Sequence, residues 1–339
     1  MAKTTNTKAN TKEEQITAKD GTVVQLLTIH GQNTDKNSKH LVYFIGGSRV
    51  LHSTKDYSKN WDWATKQGIT VHLFNYPGFG LSKSKSIIRS HRVRAGISVV
   101  DHLLSTKIKP DNIILFGDCS GGHVAAEVYK RFKDKGTHLR CIISNAASSL
   151  EQASLYYFGF IGKLKIILAP IFKLVLKIFG CHWKTYKIIN SITPYTMYFN
   201  REDDKTIKKQ AQLATKIEKI EESGRKKDYQ KKETFTGFDT EFFKQNTILV
   251  KDDKLIDPKR RNKDIHKLPI TCLKSKSSGL SFPELTLEFI KAGDQYIAEH
   301  RPLNTNLSYS QAPTKSNSSI VQSFIEQHRK YNTATGRTL

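Results

Sequence analysis

The segment IILFGDCSGGHVAAE, residues 113–127, decides the fold. Asn112–Phe116 is an apolar run that reads as a buried strand, and Ser120–Lys133 has the spacing of a helix. Only Gly117-x-Cys119-x-Gly121-Gly122 lies at the turn between them. In a strand-to-helix turn this tight the central residue is strained, and the residues two before and two after it must be small because their backbones nearly touch. Gly117 and Gly121 meet that demand when Cys119 is the centre. With Ser120 at the centre, Asp118 would fill a cramped position. Cys119 would then stand at a helix N-terminus, where the dipole favours a thiolate. A merely glycine-rich turn with a buried cysteine is the competing reading.

Outward from this turn, strands and helices alternate. Val23–Ile29 follows an Asp20–Gly21 turn signal, and Leu41–Ile45 is a short apolar run ending at Gly46–Gly47. Asp56–Gln67 reads as a helix stopped by Gly68, and Ile69–Tyr76 as a strand stopped by Pro77–Gly78. Ile87–Leu104 has helical spacing, and Cys141–Asn145 is strand-like. Such alternation predicts an α/β domain with a mostly parallel sheet covered on both faces. The alternation pauses after residue 150. Residues 151–245 read as a helical insertion, including a charged stretch Lys205–Lys232. It resumes with Thr247–Lys251 and Leu285–Ala292 as strands and Ser318–Tyr331 as a closing helix. The expected organisation is a polar, disordered tail over 1–19, a core over 20–150 and 246–332, and the insertion between the two core parts.

The elbow-like turn, FNYPGFGLS (74–82) after a strand and YFIGGS (43–48) after another together resemble the α/β-hydrolase superfamily. That resemblance implies a helical cap and a catalytic triad in the order nucleophile, acid, histidine. Cys119 takes the position usually held by serine. Gly47 and Ser120 would supply the oxyanion-hole N–H groups. The acid should follow the next-to-last strand. TILVKDDKLIDP (247–258) makes Asp253 the best match, with Asp252 and Asp257 behind it. The histidine should lie between the last strand and the last helix, where His300 in AEHRPL fits if Leu285–Ala292 is that strand. His266 follows Asp253 with no obvious strand between them, while His123 and His328 fall inside helices. NYPGFGLS, GDCSGG, SNAASSL and HRPL also resemble the chlamydial 43-kDa hydrolase-like family of intracellular bacteria, whose elbow normally carries serine.

Lys and Arg number 55 against 31 Asp and Glu, a formal charge of +24. A field of that sign favours anionic partners, though thinly spread lysine can also be a bland feature of composition. No recognised nucleic-acid module or basic–aromatic platform accompanies the charge, so nucleic acid is not the expected partner. FIGKLKIILAPIFKLVLKIFG (160–180) mixes apolar residues with spaced lysines. Such a helix can pack as a cap on its own domain or lie in an anionic membrane interface, and Pro170 should break or kink it. No stretch of about 18 residues lacks charge, so a spanning helix is not expected. The four cysteines lack metal-ligand spacing and fit a reducing compartment. No metal or cofactor is expected. The sequence thus anticipates a cytoplasmic protein, or an effector secreted without a cleavable signal, with peripheral membrane attachment as an option. Three activities fit: hydrolysis of an ester or thioester, with a small-molecule or lipid acyl substrate; acyl transfer by the same nucleophile; or an inactive scaffold that binds or docks.

Overall fold

A computed structural model describes residues 10–18, 20–47, 58–82, 89–137, 139–157, 163–178, 183–188, 196–199, 201, 204, 206–207, 211–213, 247–249, 273–274 and 280–300. In chain order the strands are β1 Thr11–Thr17, β2 Val23–Ile29, β3 His40–Phe44, β4 Thr70–Phe74, β5 Ile113–Asp118, β6 Arg140–Ser144, β7 Thr196–Phe199 and β8 Thr247–Leu249. The α-helices are α1 Asp62–Thr65, α2 Arg89–Ser105, α3 Ser120–Lys133, α4 Leu150–Tyr157, α5 Lys163–Ile178 and α6 Phe282–His300.

The strands form one sheet in the order β1-β2-β4-β3-β5-β6-β7-β8. β2 runs antiparallel to both β1 and β4, and every pairing from β4 to β8 is parallel. Because successive side chains on a strand point to opposite faces, the sheet feeds two cores. Val42, Phe44 and Leu115 pack with Val99, Val124 and Tyr129 beneath α2 and α3. Leu41, Ile114 and Phe116 pack with Trp61, Phe282 and Leu285 beneath α1 and α6. Both faces of the central strands are buried, which is why they read as unbroken apolar runs. This is the α/β-hydrolase fold that the sequence resemblance implies.

Three expectations are corrected. Thr11–Thr17 is an edge strand, so the tail over 1–19 is not disordered throughout. It pairs with β2 through its backbone and turns Ile16 inward, with half-buried Glu14 on the same face, 3.8 Å from His102 of α2. The insertion assigned to residues 151–245 contains a core strand, β7, seated between β6 and β8. Leu285–Ala292 is not a strand but the middle of α6. Ser281 caps that helix: its backbone N–H donates to Glu284 Oε2 at 2.6 Å, and Glu284 N–H returns to Ser281 Oγ at 3.4 Å. Ser318–Tyr331 lies outside the described residues.

Chain order reverses between β3 and β5. β3 is followed in sequence by β4 on one side of it, while β5 lies on the other. Loops leaving the carboxyl ends of β3 and β5 therefore diverge, and ligands in open α/β sheets bind at such a switch point.

Candidate active site

Cys119 sits on this switch point, at the end of β5. Its backbone has φ 54° and ψ −122°, a region that side-chain-bearing residues rarely occupy and that costs on the order of 1–3 kcal/mol. Neighbouring backbone holds it there. Cys119 N–H donates to Ser144 O at 2.9 Å, and Cys119 O accepts from Gly122 N–H at 3.1 Å. A Cβ on Gly117 would lie 2.5 Å from Gly121 O, and one on Gly121 would lie 1.9 Å from Phe44 O. A Cβ on Gly46 would strike the Cβ of Cys119 at 2.7 Å. The glycines are thus required by three backbones meeting, those of β3, β5 and α3. Cys119 is partly accessible, whereas Cys141 is buried and burial pushes its thiol up, keeping it protonated. Cys181 and Cys272 lie outside the described residues.

Gly47 follows β3 with φ 67°, and its N–H donates to Ser120 Oγ at 2.9 Å. The two residues expected to form an oxyanion hole are therefore adjacent, with the Gly47 donor engaged by the Ser120 hydroxyl. The loop after β4 is locked beside them. Gln25 Oε1 accepts from Asn75 Nδ2 at 2.7 Å and from Leu81 N–H at 2.8 Å, and Ser82 Oγ donates to Asn75 O at 2.8 Å.

A cavity of about 210 Å³ opens beside Cys119, lined among others by Ser120, His123, Leu150, Trp183 and Ile207. Leu150 begins α4, so the insertion forms one wall. His123, one turn into α3, stacks on Trp183 with ring centroids 5.1 Å apart and planes 2° apart. Its Nδ1 lies 2.9 Å from Thr185 Oγ1 and its Nε2 3.8 Å from Glu127 Oε1. The Arg92 guanidinium lies over Tyr76 at 5.0 Å and over Trp183 at 6.0 Å. That places a cation behind the aromatic wall. Among the described residues, no three His, Cys, Asp or Glu side chains converge as a metal site.

The histidine stands in a different element from the one the sequence suggested, and the acid candidates are not placed. Asp253, Asp252 and Asp257 lie outside the described residues, as do His266 and His328. Among the described residues the next-to-last strand is β7, and Asp204 follows it. This carboxylate is buried; Oδ1 accepts from Thr206 N–H at 2.7 Å and Ile207 N–H at 2.8 Å, and Oδ2 accepts from Asn145 Nδ2. Asn145 follows β6 directly beside the strand end that holds Cys119 N–H, and Thr206 and Ile207 line the Cys119 cavity. Buried Arg201, also after β7, lies 3.6 Å from Asp118, the residue before Cys119. In sequence, TPYTMYFNREDDKTI (193–207) reads as a short apolar strand followed by Asp204-x-x-Ile207.

His300 does not lie in a loop after a strand; it closes α6. That helix runs from the carboxyl ends of the strands to their amino ends. Near its start Phe282 packs on Phe116 at 5.1 Å. Further on, Arg140, the first residue of β6, donates to Ile290 O at 2.7 Å and pairs with Asp294. Asp294 also pairs with Lys39 at 2.7 Å, just before β3. From there to the level of Cys119 is about 13 Å of strand, and α6 continues roughly 9 Å further away before His300. The backbone path therefore separates His300 from Cys119.

No protein-family model matches the chain, and no curated protein matches it in sequence. The narrower likeness to the chlamydial 43-kDa family has no support beyond its quoted segments. Solved structures do resemble it. An esterase of Pyrococcus furiosus is 16% identical over 64% of this chain and 77% of its own, with a TM-score of 0.47. An alpha-beta hydrolase from Vibrio vulnificus is 15% identical over 64% and 71%, with a TM-score of 0.49. An alpha-beta serine hydrolase homologue from Coxiella burnetii is 11% identical over 59% and 77%, with a TM-score of 0.40.

Proposed function

We propose that this chain is a hydrolase of ester or thioester bonds that works through Cys119 and an acyl-enzyme. The observation that carries this reading is the strained backbone of Cys119, held at the switch point beside a cavity. Strain of this kind persists only where surrounding structure over-determines it, and it clusters at reactive positions. The cavity of about 210 Å³ beside Cys119 gives an acyl group room to enter.

In the proposed reaction the Cys119 thiolate adds to the carbonyl carbon, and the carbonyl π pair moves to oxygen. The N–H groups of Gly47 and Ser120 receive that oxyanion, each worth about 3 kcal/mol. Collapse re-forms the carbonyl and breaks the bond to the leaving alkoxide or thiolate, which takes the proton that the base removed from the thiol. The same base then deprotonates water, which attacks the thioester and returns Cys119 as thiolate. The order rule, applied to the observed strands, assigns the acid to Asp204. It assigns the base to His266, the one histidine in sequence between β8 and α6.

Turnover of a series of short acyl esters and thioesters tests the proposal. Cys119→Ala and His266→Ala should each lower kcat/KM by about ten-thousand-fold, and Asp204→Asn by less. His300→Ala and Asp253→Asn should leave it unchanged. Turnover that survives Cys119→Ala would end the proposal. If added alcohols, amines or thiols divert the acyl group from water, the chain is an acyltransferase with the same nucleophile.

A second reading, an inactive scaffold that binds or docks, is favoured by one contact. The Gly47 N–H is already taken by Ser120 Oγ, so that hydroxyl must turn aside before the donor can serve an oxyanion. Failure of iodoacetamide to alkylate Cys119 at neutral pH would support this reading.

A further inference from the structure

Helix α5 shows an unpartnered apolar stripe. Ile171, Leu174, Val175 and Ile178 fall at the i, i+3, i+4, i+7 spacing of one helix face, where a soluble helix normally buries its apolar residues. Here they are 57%, 58%, 40% and 71% exposed. Lys173 and Lys177 are also exposed, about 150° and about 110° around the helix from the middle of the stripe. The charge in the sequence around it is one-sided: from Gln152 to Asn200 the chain has six lysines and no aspartate or glutamate, although α4, packed against α5, carries Glu151. The helix continues through Pro170, so the proline does not end the face. Among the described residues, no helix is long and apolar enough to cross a membrane.

We infer that α5 lies in the surface of an anionic lipid bilayer, its apolar stripe among the acyl chains and its lysines at the headgroups. An amphipathic helix with lysines on the face away from its apolar stripe has the composition of an in-plane interfacial helix. Lysine stems can follow the apolar boundary while their ammonium groups reach headgroup phosphates and carboxylates. A second copy of the chain is the poorer occupant. It would have to approach against the repulsion of a net charge of +24. Docking also has a consequence for the cavity. α4 packs against α5 and supplies Leu150, Ala153 and Ser154 to the cavity wall, so a docked α5 holds the Cys119 cavity close to the lipid.

Co-sedimentation of the full chain with vesicles tests this. Phosphatidylcholine vesicles containing phosphatidylserine should retain the protein, plain phosphatidylcholine vesicles should not, and added salt should release it. Lys173→Gln and Lys177→Gln leave the stripe intact and should weaken binding by about fivefold each. Leu174→Glu with Ile178→Glu should abolish binding while leaving the circular dichroism spectrum unchanged, as expected of solvent-facing positions. Cys119→Ala should bind like the parent, which separates docking from catalysis. Equal binding to neutral vesicles, full binding by the Leu174→Glu/Ile178→Glu chain, or no binding by the parent would overturn the inference. So would a dimer that forms without lipid and is dissociated by those two substitutions.

Discussion

The two edges of the sheet are built differently. At the carboxyl edge, backbone packs on backbone: Gly46, Gly117 and Gly121 leave no room for a Cβ, and Cys119 is held at positive φ. At the amino edge the links are polar side chains. Arg140, buried at the start of β6, reaches both Ile290 O and Asp294, and Lys39 joins them. Alongside, His72 bridges His40 and Thr28 through its two ring nitrogens, at 3.0 Å and 3.1 Å. One edge stores strain at Cys119, and the other fastens α6 to the sheet. His300 closes α6, the helix fastened at this second edge.

That contrast predicts graded responses to substitution. The largest should come from Gly121→Ala. In an ordinary helix the change stabilises by nearly 1 kcal/mol, but here the new methyl meets Phe44 O, and the sign should reverse to a loss of about 3 kcal/mol. A urea midpoint equal to or above that of the parent would break the account of the carboxyl edge.

Acid should weaken the amino edge next. Burial, and then the charge of His30, holds the His40 pKa down to about 4, and burial also depresses His72 strongly. The folded chain keeps both rings neutral while the unfolded chain protonates them near pH 6.5. Stability from this source is therefore complete above about pH 6.5 and falls as pH drops towards about 4, His40 alone losing about 2 kcal/mol by about pH 5. Urea midpoints at about pH 7.5 and about pH 5 should differ accordingly, and His40→Gln should reduce the difference.

Asp294→Asn should cost roughly as much, about 2 kcal/mol. Removing one partner of a buried pair typically costs about 3–5 kcal/mol, but the Asp294 side chain is 46% exposed and water recovers part of that. The smallest effect belongs to the cap of α6, where Ser281→Ala should lower stability by about 1 kcal/mol. Thermal unfolding of the two variants side by side would sharpen the ranking.

The features legible in the sequence were those with local causes. The elbow could be read because its strand, its small residues and its helix are contiguous, and the steric demand at Gly117 and Gly121 needs no distant partner. β1 was not legible, because an edge strand with one inward apolar residue, Ile16, gives no hydrophobic period; its pairing is with the β2 backbone. β7 was hidden by its length of four residues and by the charged sequence that follows, so Asp204 was not weighed as an acid. α6 was misread from Leu285, Leu287 and Phe289, which alternate like a strand. The longer spacing Phe282, Leu285, Phe289, with Ser281, Pro283 and Glu284 at the cap positions, marks a helix start, and that cue was available. The stripe on α5 was visible as a pattern, but its exposure depends on what the rest of the chain leaves uncovered.

The claim that the strained edge is the reactive one rests on Cys119. Intact-mass spectrometry after brief exposure to short acyl thioesters tests it most directly. The account predicts one acyl adduct per chain, located at Cys119 and missing from Cys119→Ala. No adduct with any acyl donor, or an adduct that persists in Cys119→Ala, would contradict it.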